Sequence, residues 1–84
     1  MPYIRKGLRG VFDHQIDALI NVINQPGELT YVVYRLMRGF IGTEKNYFRL
    51  ATCVGAMFLC IMEFTRRVVF PYEDKKIHDN GEVE

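Results

Sequence analysis

Serine and tryptophan are absent from this 84-residue chain, and cysteine, histidine and proline are scarce at two, two and three copies. Without serine, a serine nucleophile is excluded outright. Neither GxGxxG nor a P-loop string occurs, so the glycine-rich turns that cradle nucleotide phosphates in the common folds are missing. His14 and Asp17 stand three apart, a spacing that suits two metal ligands, but no third or fourth ligand follows at a recognisable interval. No metal and no cofactor is expected. Cys53 and Cys60 lie seven residues apart on a helix-patterned segment, a rise of about 10 Å against the ~7 Å Cα limit for a disulfide. They read as small buried apolar residues of a reducing compartment, or as a bridge between two copies across a symmetry axis. Burial suppresses thiolate formation, and no enzyme of ordinary type is expected.

What the chain does contain is apolar surface. Hydrophobic residues make up 49% and charged residues 25%, the balance of a single globular domain. From Leu50 to Met62 thirteen residues run without a charge. Tyr47, Leu50, Val54, Met57, Ile61, Phe64 and Val68 step by alternating threes and fours, an a/d seam held for three heptads. Ala51 and Phe58 widen it on one side, Cys53 and Cys60 on the other, while Gly55, Leu59 and Met62 fill the far face. A helix apolar all round must be covered all round, and a domain this small has little else to cover it with. The expectation is a homo-oligomer whose interface holds Leu50, Val54, Met57, Phe58, Ile61 and Phe64.

A bilayer is the rival cover. Crossing its hydrocarbon takes ~20 apolar residues, and a run of thirteen belongs with buried core helices. Arg49 bounds the run on one side and Glu63, Arg66 and Arg67 on the other, so no membrane span is expected. Arg5, Lys6 and Arg9 precede no apolar h-region, so no secretory signal is read. A cytoplasmic protein is expected.

The fold class predicted is all-α, a three-helix antiparallel bundle with a long C-terminal helix and an extended arm. The first helix, about 13–24, places Phe12, Ile16, Leu19, Ile20 and Ile23 on one stripe, with Asp13 and Asp17 near its positive end. Asn24, Gln25, Pro26 and Gly27 break it, and Pro26 suits the start of a second helix, about 27–40. Leu29, Val32, Val33, Leu36, Met37 and Phe40 form that helix's core stripe, and Gly39 with Gly42 is the expected stop. Thr43 and Glu44 offer a cap for the third helix, about 46–70. Pro71 is expected to end it and to release an extended arm, 71–84. Residues 1–70 hold nine cations against five anions and residues 71–84 two against five, an acidic strap beside a basic body.

On the second helix Tyr31, Tyr34, Arg35 and Arg38 share the face opposite the core stripe. Guanidinium forks match phosphate geometry and aromatic rings accept base faces, although the same spacing also suits a solvated face or a protein contact. Arg66, Arg67, Tyr72 and Lys76 form a second candidate, an anion clamp at the end of the third helix. Glu63 pairing with Arg67 at i+4 is its purely structural counterpart.

The opening Met1-Pro2-Tyr3-Ile4, the string GELTYV at 27–32 and the close RRVVFPYEDKKI..NG at 66–81 resemble a group of short proteins of unassigned function from tailed phages and bacteria. The likeness spans most of the chain and implies a phage accessory protein. It implies no reaction. Tyr31, Arg66, Arg67, Pro71, Tyr72, Glu73, Asp74, Lys76, Asn80 and Gly81 belong to the recurring pattern, and Tyr3, from the opening motif, joins the candidate ligand set. Two functions fit the residues. One is a binding module whose intersubunit pockets sequester a small anionic ligand such as an immune-signalling nucleotide. Small helical phage proteins of that kind are similar in size and residue type. The other is an interaction protein that engages a host or phage protein through its Tyr/Arg face. The net charge of +1 argues against nucleic acid, which demands strong positive potential.

Overall fold

A computed structural model describes residues 3–83. Met1 and Pro2 of the opening motif, and Glu84 of the predicted arm, lie outside the described residues. The protein is all-α, and among the described residues there is no strand. It divides after Gly42 into two units.

The first unit holds α1, Lys6–Val22, and α2, Pro26–Ile41. Helix α1 begins seven residues before the predicted start at 13. Leu8 and Val11 extend the stripe of Phe12, Ile16 and Leu19 at threes and fours, and that continuity outweighs the weak helix propensity of Gly7 and Gly10. Asp13 and Asp17 therefore sit in mid-helix, and the first turn of α1 carries no acid. Helix α2 begins on Pro26, where the missing N–H is no loss. Just before it, the backbone N–H groups of Asn24 and Gln25 donate to Glu28 Oε1 at 2.7 and 3.0 Å. Helix α2 ends as expected at Gly42, whose φ of +65° is a glycine conformation and whose N–H donates to Arg38 O at 3.0 Å.

The second unit is one continuous helical run of 34 residues, Tyr47–Asn80, in three parts: α3, Tyr47–Phe64, a π turn, Thr65–Val69, and α4, Phe70–Asn80. Its N-cap is Asn46, not Thr43 or Glu44, and Asn46 Oδ1 accepts the Arg49 N–H at 2.9 Å. Pro71 does not end the helix, and the predicted extended arm is helical as far as Asn80. The reason lies in the ladder. The Phe70 N–H donates to Thr65 O, five residues back, so the hydrogen-bond register widens just before the proline, which has no N–H and crowds a regular turn. Thr65 loosens the same stretch by donating its Oγ1 to Ile61 O at 2.7 Å.

This longer helix revises the length argument drawn from the thirteen-residue run. By length and composition alone it suffices to cross a membrane, with Arg49 and Glu63 inside or beside its most apolar stretch. It is also unlike the core helix of a compact protein. Val54, Phe58, Ile61 and Phe64 are 58 to 63% exposed, Leu50 is 45% exposed and Met57 is half-buried. Across the described residues just two apolar side chains, Ile41 and Cys53, are buried. Cys60, expected to be buried beside Cys53, is exposed: the described part of its own unit is one helical run, which holds no second element to pack over it.

Candidate functional site

Helix α2 brings together four of the predicted site residues. Tyr31 and Arg35 lie one turn apart, as do Tyr34 and Arg38, so each arginine reaches back along the helix to the tyrosine before it. Arg35 Nη1 donates to the Tyr31 hydroxyl at 2.8 Å, and Arg38 Nη1 to the Tyr34 hydroxyl at 2.9 Å. The guanidinium carbons stand 5.7 and 5.8 Å from the two ring centroids, within cation–π range. Both tyrosines are more than half exposed. Each guanidinium has five N–H donors, so one tether to a hydroxyl leaves a fork available. The result is a two-rung ladder in which aromatic rings and positive forks alternate along about 10 Å of helix.

The ladder adjoins a depression of ≈ 350 Å³ at the joint of α1 and α2, lined by Leu19, Val22, Ile23, Gly27, Glu28, Tyr31 and Val32. Its walls are apolar except at Glu28 and Tyr31. The Glu28 carboxyl is held below the usual carboxylate range, chiefly by the Asn24 backbone N–H and then by that of Gln25. Sequence reasoning missed this depression. The legible signal was the Asn24-Gln25-Pro26 break falling directly after the apolar stripe of α1.

Tyr3 lies with Ile4, Arg5, Lys6 and Arg9 around a second depression, ≈ 440 Å³. Arg5, Lys6 and Arg9, which in the sequence precede no apolar h-region and so read as no secretory signal, thus surround a predicted site residue. They also crowd the end of α1 where the helix dipole is already positive.

The predicted clamp in the second unit forms as two separate pairs. Arg66 donates to the Glu63 carboxylate at 3.0 Å, and Arg67 Nε donates to Oε1 of the same carboxylate. Both cations are thus committed to one carboxylate, the structural pairing that i+3 and i+4 spacing allows. Tyr72 instead lies under Lys76, whose Nζ is 5.6 Å from the ring centroid. Among the described residues no three His, Cys, Asp or Glu side chains gather as a metal site.

These features define an all-α protein with an exposed aromatic–arginine face beside an apolar niche. The chain belongs to the family described as Domain of unknown function (DUF6899), whose profile matches residues 1–83. No curated protein and no solved structure matches it.

Proposed function

We propose that this chain is a phage-type accessory binding protein that works as a homo-oligomer in the host cytosol and sequesters a small anionic ligand, an immune-signalling nucleotide being the natural candidate. The observation that carries the reading is the Tyr31–Arg35 and Tyr34–Arg38 ladder. Its guanidinium forks suit phosphate oxygens and its rings offer faces for stacking. Among the described residues no metal cluster gathers, and the ladder offers rings and fixed cations, which suit binding better than catalysis. Self-association is supported by the exposed seam of Leu50, Val54, Phe58, Ile61 and Phe64, since an apolar helix face left in water is covered by whatever apolar surface it meets.

Calorimetric titration with cyclic and linear nucleotides tests the ligand, and sedimentation at micromolar concentration tests the assembly. Because the protein has no tryptophan, a nucleotide retained through purification raises the 260 to 280 nm absorbance ratio visibly. The second reading, a module that binds a host or phage protein, is favoured by the apolar stripe of α1, where Leu8, Val11, Phe12, Ile16 and Ile20 are all exposed. Silence across the nucleotide panel, with a specific protein captured by the immobilised chain, selects it.

A further inference from the structure

Resting on the nucleotide reading, we infer that the niche at the α1–α2 joint takes the base, and that Glu28 selects a base with a hydrogen-bond donor edge, of which guanine is the prime example. The niche and the ladder meet at Tyr31, which lines the depression and tethers Arg35 through its hydroxyl. A ligand seated there has its ring among Leu19, Val22, Ile23 and Val32 and its phosphate one to two turns further along α2, at Arg35 and Arg38. The depression of ≈ 350 Å³ lies at the small end of ligand pockets. Its lining suits an apolar ring face and offers no cation, so the phosphate falls outside it, on the ladder.

The chemistry of the lip gives the selectivity. Glu28 Oε1 accepts two backbone N–H groups, from Asn24 and Gln25, and these fix the carboxylate's position. A carboxylate has about four acceptor sites, and among the described residues Oε2 accepts none of the hydrogen bonds. The side chain is anionic, immobilised by its capping role, and accepts but does not donate. Guanine presents N1–H and an exocyclic N2 amine side by side to such a group, whereas adenine presents one amine beside an acceptor nitrogen. Gly27 lines the depression, and a Cβ built there meets nothing within 4 Å, so a larger side chain at this position takes up space there without a clash.

The test is calorimetry of the full chain with guanosine 5′-monophosphate, adenosine 5′-monophosphate and ribose 5-phosphate. Gly27→Leu and Glu28→Gln are the two variants. Leucine at position 27 plugs the niche while raising helix propensity, and glutamine at position 28 keeps a capping oxygen while losing the charge and the second acceptor. Expected for the native chain is a preference for the guanine over the adenine nucleotide of about tenfold, the scale of one hydrogen bond to a charged acceptor. Glu28→Gln should abolish that preference. Gly27→Leu should weaken both nucleotides by a similar factor and spare ribose 5-phosphate, with helicity by circular dichroism unchanged. Equal affinity for the two nucleotides, or a Gly27→Leu chain that binds guanosine 5′-monophosphate as the native one does, overturns the niche assignment and leaves the arginine ladder standing. Failure of all three ligands to bind overturns the nucleotide reading itself, and the niche assignment with it.

Discussion

Arg35 Nη1 sits 2.8 Å from the Tyr31 hydroxyl while its guanidinium carbon stands 5.7 Å from the centroid of the same ring. One residue pair thus makes a directional hydrogen bond and a cation–π contact together. The pair repeats three residues on with Arg38 and Tyr34, so the two forks are held ready on one helix face. Pre-positioning of this sort reduces the rotamer entropy lost when a ligand binds.

Removing the forks should remove ligand uptake. Arg35→Ala or Arg38→Ala is expected to reduce nucleotide affinity by at least about tenfold, the loss that accompanies a charge-assisted hydrogen bond. Sedimentation should show the same oligomer as the native chain. Tyr31→Phe keeps the ring and deletes the tether, and its expected loss is smaller, about two- to tenfold. Side-by-side titrations of the three variants check the order.

A charge on the seam of α3 should break the assembly. Ile61→Asp places a carboxylate on a face that is 63% exposed in the single chain and covered in the proposed oligomer, where burying it unpaired is costly. The expected result is a shift to single chains in sedimentation, with reduced helicity. A native chain that sediments as a well-folded monomer at micromolar concentration removes the basis for the oligomer.

The Asn46 cap should set the stability of the long helix. Asn46→Ala deletes the acceptor for the Arg49 N–H, bonded at 2.9 Å, at an expected cost of about 1 kcal/mol. For a domain of this size that lowers the melting temperature by about 4–8 °C. Asn46→Asp should retain most of the stability, since aspartate caps equally well. Thermal unfolding followed at 222 nm reads both.

Acid should act on the α1–α2 joint through Glu28. Its carboxyl is depressed in the folded chain by the Asn24 and then the Gln25 backbone N–H, so the folded state binds that proton less readily than the unfolded state. The stabilisation is fully present above the ordinary carboxylate value and is lost as pH falls through the lowered folded value. Glu28→Gln should remove this component of the acid dependence. Denaturant midpoints measured from pH 6 down to pH 3 separate the two chains.

The π turn should relax when its cause is removed. Pro71→Ala restores an N–H where the ladder lacks one and is expected to raise the melting temperature, while Thr65→Val removes the bond to Ile61 O and favours a regular turn. Amide exchange from Arg66 to Phe70 reports the change. Unaltered protection in both variants would show that the π turn has another origin.

Much of this protein is legible one residue at a time. The all-α class, the three helical segments, Pro26 as a helix start, Gly42 as a stop and the shared face of Tyr31, Tyr34, Arg35 and Arg38 all follow from the 3.6-residue period and from backbone rules. Those rules act over one or two turns, so a linear reading contains everything they need. The same locality explains the misses. Gly10 and Pro71 are breakers by propensity, and each is overruled by its surroundings, the first by a stripe that continues across it from Leu8 to Val11 and the second by a register shift five residues deep. The depression at the α1–α2 joint depends on how the stripe of α1 meets the first turn of α2, which is a matter of tertiary placement. The pairing of Arg67 with Glu63, by contrast, is legible from its i+4 spacing. A periodic pattern states which side of a helix is apolar, whereas what stands against that side is decided by three-dimensional packing alone.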